Sequence, residues 1–415
     1  MPSVLQKSSL AKICLLDIFL LGLFLTPLSY SLETLSDQDR LVDQTASENQ
    51  NNLSFKNSDF QQKLQLFLLT TAISENIPFD TLQPSFSNMK PNVKVKKYIA
   101  PDPHGKVLPK NWTSYLANVM SSKRLIAGEK FWRTHQNFLE KTQLETGVPV
   151  EIIVSILGIE TIYGSYMGDF SVRDSLTTLA FDYPPASNKT SRETLFKNQL
   201  KDLIVYCWNK NNANSSSFGL CLNQLGSFAG AIGMPQFMPS SILKFAKDGD
   251  GDGKIDLRNN PQDAILSVAN FLVAHGWKKD EPIELPINNQ QQSLKITQQL
   301  ADGDPAPKLS LGQLKNERII DEWPSPLNSD TPALIVDLPR IDPKGEIQTS
   351  YLVGLKNFEV ITQYNRSFFY AQAVTEFGSA LAQSVKNNLH QTTKKEAVKQ
   401  GKRQLKDSGH HGHTQ

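Results

Sequence analysis

Apolar residues recur at helical spacing along most of the chain. Phe60, Leu64, Leu66, Phe67, Leu68 and Ala72 form a first helical run that ends before Pro78. From Trp112 to about Trp277 the pattern stays helical, with Leu116, Met120, Leu125, Phe131, Trp132 and Phe138 near that period and Pro149 opening another helix. Between them, Pro91 to Pro109 reads as an extended basic connector. After Trp277 the pattern breaks. Glu281 to Pro343 sets Pro, Asn, Gln and Asp between short apolar runs such as Ala333-Leu334-Ile335-Val336, which predicts a small β-rich insertion with loops. Tyr351 to Thr362 reads as one or two further strands, and Ser367 to Gln383 returns to helix. The expected fold is mainly α, in the α+β class. Its helical part covers about 57–278, its insertion about 281–345 and its C-terminal core part about 346–385.

The two ends differ from this body. Lys7 and Lys12 precede an apolar run from Ile13 to Leu25, followed by Pro27, Ser29 and Ser31, which is the order of a secretory signal peptide over residues 1–31. That run is shorter than the roughly 20 residues of a spanning helix, and Asp17 interrupts it. No membrane span is expected after cleavage. Cys14 lies inside the apolar run without the small residues of a lipid-attachment site, so the expected product is periplasmic and not a lipoprotein. Residues 32–56 are polar and read as a mobile leader. Residues 386–415 hold Lys394, Lys395, Lys399, Lys402, Arg403 and Lys406, then His410, His411 and His413, and read as a basic disordered tail. Attraction to an anionic envelope polymer, with the histidines as a weak metal site, is the functional alternative to a merely solvated tail.

Composition narrows the partners. A formal net charge of +2 is too small to point to nucleic acid, and the chain has no Gly-rich phosphate loop or Cys-x-x-Cys pair. Once the signal is removed, Cys207 and Cys221 remain, flanking a polar stretch from Asn209 to Ser217. In an oxidising compartment they form a structural bridge closing a short loop; the alternative is two buried free thiols.

The clearest chemistry lies between Val150 and Gly164. Pro149 suits a first helical turn, Glu151 favours its positive end, and Gly164 is placed to stop the helix. Ile152, Ile156, Ile159 and Tyr163 share a face, with Glu160 beside Ile156 and Tyr163. A carboxyl group in apolar surroundings resists ionising, so it can give a proton to a glycosidic oxygen near neutral pH. An ion-paired structural Glu would leave the same trace. Ser227 to Ser241 adds Gly230 and Gly233, which permit close backbone approach, and Gln236, whose amide both donates and accepts as sugar hydroxyl and acetamido groups require. A tight helix crossing at Gly230 is the competing reading.

A third segment points to a cation. Asp248, Asp250 and Asp252 alternate as in an EF-hand loop, Gly253 allows the sharp turn, Lys254 offers its carbonyl and Ile255 anchors the loop. Asn259 stands where the usual last Glu would, and Asp263 is the expected substitute. The ion is expected to be structural Ca2+, with no cofactor needed for the chemistry. An acidic surface loop is the plain alternative, and a single loop of this type argues against a calcium sensor.

Three motifs in order, Glu160-Thr161-Ile162-Tyr163-Gly164, Gly230 to Ser240, and Asn357 to Asn365, resemble those of glycoside hydrolase family 103, the lytic murein transglycosylases of the B type and their soluble relatives. The resemblance runs from about Phe60 to Leu381. It implies a lysozyme-like, mainly helical catalytic core, with Glu160 as the single acid and base. It also implies that Ser227, Gln236, Tyr364, Asn365, Tyr370 and Arg192 line the glycan groove, and it puts the last calcium ligand in a Pro-x-Asp setting like that of Asp263. The family usually has two adjacent arginines after Asp-Tyr-Pro. Here Asp182-Tyr183-Pro184 is followed by an inserted stretch, and Arg192 stands alone. The implied substrate is peptidoglycan, cleaved between N-acetylmuramic acid and N-acetylglucosamine with closure of a 1,6-anhydro ring, by a monomer. A muramidase using water on the same bond, and a non-catalytic calcium-bound glycan-binding protein, are the alternatives.

Overall fold

The computed structural model describes residues 59–100, 110–210, 215–342 and 344–408. The expected signal peptide, Cys14, the leader and the terminal histidines lie outside them. The first helical run is α1 (Asp59–Ser74), followed by the short α2 (Phe79–Leu82). The supposed connector holds a helix instead, α3 (Val93–Ile99). The Asn92 side chain caps it by accepting from the amides of Lys94 and Val95, and Val95 and Ile99, one turn apart, are buried. Then come α4 (Trp112–Val119), α5 (Ser122–Thr134), α6 (Gln136–Thr146) and α7 (Val150–Thr161).

α7 is the centre of the protein. Every residue of α7 except Glu151 is buried, so the helix has no single apolar face and is covered all round. Its ending also differs from the sequence reading. It stops at Thr161, before Gly164, because Ile162 and Tyr163 both take left-handed backbone, with φ of 50° and 55°. The Ile162 amide donates to the Gly158 carbonyl and the Tyr163 amide to the Leu157 carbonyl, the pattern that glycine usually supplies at a helix end. A β-branched residue there is strained, and such strain costs on the order of 1–3 kcal/mol, which surrounding packing must hold in place.

After α7 come α8 (Val172–Phe181), α9 (Lys189–Lys210), α10 (Ser215–Leu222), α11 (Pro239–Phe245) and α12 (Pro261–Ala274), of which α12 packs on α7 while α8 and α11 pack on α9. A two-residue ribbon pairs β1 (Phe170–Ser171) antiparallel with β2 (Leu225–Gly226). A disulfide joins Cys207 at the end of α9 to Cys221 on α10.

The insertion carries β3 (Glu284–Leu285), α13 (Gln291–Leu300), β4 (Leu309–Ser310), α14 (Leu311–Asn316), β5 (Pro332–Ile341) and β6 (Ile347–Gly354). Its four strands pair in the order β3-β6-β5-β4. The apolar run in β5 is continuous because both faces of the sheet are covered. Ala333 and Ile335 enter a small core with Leu285, Leu311 and Leu314, while Leu334, Val336 and Leu338 enter the main helical core.

After β6 the chain turns helical earlier than its β-branched residues predict. α15 (Lys356–Tyr364) buries Phe358 and Ile361, one turn apart, so tertiary packing overrides the strand preference of Val360-Ile361-Thr362. Asn357 is fully buried at its start and bonds the amide and carbonyl of Lys278 and the carbonyl of Glu281, joining both ends of the insertion. The last helix, α16 (Phe368–Ser408), extends through most of the segment expected to be disordered. Lys, Gln, Ala and Glu are good helix formers, and elongation from an already packed helix avoids the cost of nucleation. Ser155 of α7 donates to the Val374 carbonyl of α16 at 2.7 Å, and Gly378 sits against the backbone of Glu151. Among the described residues no single helix is long and apolar enough to cross a membrane, and only the bent pair of α6 and α7 passes that test on composition.

Candidate active site

Glu160 occupies the last turn of α7 and is 8% exposed. The Tyr370 hydroxyl, from the first turn of α16, donates to its Oε1 at 2.7 Å. Burial pushes the Glu160 carboxyl up to about 7, against the opposing pull of the Tyr370 bond. At neutral pH a large share of it therefore holds a proton.

Two further tyrosines complete the surroundings. Tyr364, at the end of α15, stacks on Tyr370 with ring centres 6.1 Å apart and planes 10° apart. Its hydroxyl donates to the Pro235 carbonyl, and its ring lies 5.9 Å from Phe237. Tyr115 on α4 packs edge-on against Phe369 and lies near enough for the Glu160 charge to help keep its phenol neutral. Burial is the larger cause for all three phenols, so each stays protonated beside the acid.

The Gln236 loop is fastened to the same helix end. Thr161 donates to the Met234 carbonyl at 2.9 Å and also accepts from the Gly164 amide. Gln236 takes left-handed backbone at φ 50°, and its amide nitrogen donates to the carbonyls of Gly233 (2.8 Å) and Met167 (3.4 Å). The Ser227 hydroxyl accepts from the amides of Ala229 and Ala231, which closes the turn containing Gly230. Gly230 and Gly233 are required by the fold itself. A Cβ on Gly230 would meet Leu176 at 2.4 Å, and one on Gly233 would meet the Leu257 carbonyl at 2.5 Å.

Glu160, Tyr364, Tyr370 and the Gln236 loop are thus brought into one cluster. Asn365 follows Tyr364 directly as the residue ending α15, and Ser227 begins the turn that leads to Gln236. Arg192 is buried on α9, where burial lowers its pKa and Tyr183 opposes the change. Tyr115 and Arg124 lie outside the sequence motifs, and Thr161 lies inside one with no role of its own. The spacing of Trp112 and Tyr115 on one helical face was the one available signal for the first.

The acidic loop precedes α12. Carboxylate oxygens of Asp248, Asp250 and Asp252 lie within 4.8 Å of one another. Asp248 accepts from the amides of Gly251 and Gly253, and Asp250 accepts from the Asp252 amide and from Asn260 Nδ2. Three converging hard oxygen donors fit a divalent cation such as Ca2+. Asp263 stands apart from this trio. Fully buried, it accepts from the amides of Gly249 and Asp256 with its two oxygens and ties the two ends of the loop to α12.

A buried acid poised to hold or release a proton, among neutral phenols on a mainly helical core, is the arrangement of an enzyme that works by general acid and base catalysis. Residues 59–379 narrow the class, since they match the family described as the transglycosylase SLT domain. The chain is 33% identical over 314 residues to membrane-bound lytic murein transglycosylase B of Escherichia coli (strain K12), covering 76% of this chain and 77% of that protein. It is similar in structure to soluble lytic transglycosylase SltB1 from Pseudomonas aeruginosa, at 32% identity and TM-score 0.65, over 78% of this chain and 99% of that one. It is also similar to Escherichia coli lytic transglycosylase Slt35 in complex with calcium, at 31% identity and TM-score 0.63, over 80% of this chain and 94% of that one. The chain belongs to the transglycosylase SLT family and is a lytic transglycosylase.

Proposed function

We propose that Glu160 alone carries both proton transfers in cleaving the β-1,4 bond between N-acetylmuramic acid and N-acetylglucosamine in peptidoglycan. The observation that carries this reading is a buried carboxyl, raised to about 7, whose partner is a phenol and not a second acid. Two-carboxylate glycosidases need a nucleophile or a base across the bond. Of the aspartates close to Glu160 in sequence, Asp174 pairs with Arg173 at 2.8 Å, Asp182 pairs with Lys96 at 2.6 Å, and Asp169 lies exposed. Protonated Glu160 gives its proton to the linking oxygen, and the C1–O bond breaks. The sugar's own acetamido oxygen stabilises the cationic carbon. Ionised Glu160 then takes the proton of the C6 hydroxyl as that oxygen bonds to C1, closing the 1,6-anhydro ring. Because both groups belong to one sugar, positioning supplies much of the acceleration.

Ser227, Gln236, Tyr364, Asn365, Tyr370 and Arg192 form the groove in this reading. Asp248, Asp250 and Asp252, with the Lys254 carbonyl, hold a structural Ca2+, and Asp263, which also braces the loop, is the remaining ligand expected of it. The enzyme works in the periplasm after signal cleavage, as a monomer on glycan strands. Mass spectrometry of digested peptidoglycan tests the reaction: anhydro ends, one water lighter than reducing ends, are expected. A predominance of reducing ends would replace this reading with a muramidase using water.

A further inference from the structure

Arg124 is 5% exposed on α5, and its guanidinium is bonded to the carbonyl ends of two other helices. Nε donates to the Gly158 carbonyl of α7 at 3.0 Å. Nη1 donates to the carbonyls of Asn118 and Val119, the last two residues of α4, at 2.6 Å each. The last carbonyls of a helix lack partners within it and carry the negative end of its dipole, so a buried cation is well placed there. These two helices are the ones that carry Tyr115 and Glu160. One turn along α5, a Cβ on Gly128 would meet the Tyr163 hydroxyl at 2.5 Å, and one on Gly158 would meet it at 2.4 Å. One face of α5 therefore grips the strained turn that follows Glu160 and the end of the helix bearing Tyr115.

We propose that Arg124 is a positioning residue for the acid, clamping the ends of α4 and α7 so that Tyr115 and Glu160 stay apposed in a dry site. The inference rests on the reading of Glu160 as the acid. A guanidinium suits the task because its planar fork reaches several carbonyls at once and it never loses its charge. Lysine keeps the charge without the fork, and glutamine keeps donors without the charge.

The test compares Arg124→Lys and Arg124→Gln with the parent enzyme on defined glycan strands. Rates are expressed per folded molecule, counted by near-ultraviolet circular dichroism. Misplacing the acid by about an ångström should lower kcat roughly 10- to 100-fold while leaving KM within about threefold. A loosened clamp also admits water to Glu160. The alkaline limb of the kcat profile should then move to lower pH, because Glu160 loses its proton sooner. The groups facing Glu160 are Tyr115, Tyr364 and Tyr370, all held neutral by burial, so the limb reports the acid. Unchanged kcat per folded molecule with an unmoved limb in both variants would reduce Arg124 to a scaffold residue and overturn the proposal. Glu160→Gln is run alongside: if it still cleaves, the reading of Glu160 fails; if it is inactive and both Arg124 variants keep the parent's kcat and limb, only this inference fails.

Discussion

The Tyr370 hydroxyl donates to Glu160 Oε1 at 2.7 Å, so this partner of the acid works against its raised pKa. A hydrogen bond to a carboxylate favours the charged form, whereas burial favours the protonated one, and burial wins. Removing the hydroxyl should therefore raise the pKa further. Tyr370→Phe is expected to shift the alkaline limb of kcat upward by about one pH unit, the scale of a hydrogen bond to a charged group. Its kcat near pH 6 should still fall, because the carboxyl loses its orientation. A pH–rate profile of the variant checks both effects, and a limb moving downward would contradict the balance described above.

Glu160 also has a cost to stability. Its pKa is near 4.5 in the unfolded chain and about 7 in the folded one. The folded state is therefore fully favoured below the unfolded value and loses stability as pH rises through the folded value. Over that window the loss amounts to about 3 kcal/mol. Glu160→Gln should thus abolish lysis, by at least about 100-fold, and yet unfold at higher denaturant concentration than the parent at pH 8. At pH 4 the difference should nearly vanish. Urea titrations at the two pH values would show it.

Much of this was legible in the residues. Glu160 stands out because an acid in so apolar a segment needs a reason, and Tyr364, Tyr370 and Gln236 lie in motifs with chemical character of their own. Less legible were the parts set by contacts distant in sequence. Arg124 from α5 and Tyr115 from α4 reach the site through backbone carbonyls and ring edges, which leave no periodic trace. α15 read as strand because Val360-Ile361-Thr362 is β-branched, and only the burial of Phe358 and Ile361 against other helices decides otherwise. The helical end of the chain was missed for the opposite reason: its Lys, Gln, Ala and Glu residues favour helix once α16 has started.

The disulfide offers a separate check. Cys207 and Cys221 are 14 residues apart and join the end of α9 to α10. Closing a loop of that size restricts the unfolded chain and stabilises by about 3 kcal/mol. The double variant Cys207→Ser with Cys221→Ser should melt several degrees lower, as calorimetry would record, while keeping its kcat at 25 °C because neither sulfur touches the acid. A kcat loss equal to that of a Tyr370 variant would place the bridge in the catalytic machinery.

Cation binding at the acidic loop should behave as folding energy. Asp248, Asp250 and Asp252 bring three negative charges together beside α12, and all three already accept backbone amides that pre-form the turn. Calcium at about 100 times its dissociation constant should add about 2.7 kcal/mol to stability, since it binds the folded loop and not the open chain. A chelator should reverse the rise in melting temperature. Asp250→Asn should weaken the response, and Asp248→Ala should remove it along with the two amide bonds of the turn. Asp263→Asn separates bracing from coordination. Its two oxygens hold the amides of Gly249 and Asp256, so replacing one oxygen with a donor should lower stability even in chelator. If Asp263→Asn matched the parent in chelator and differed only when calcium was present, Asp263 would be a ligand and not a brace.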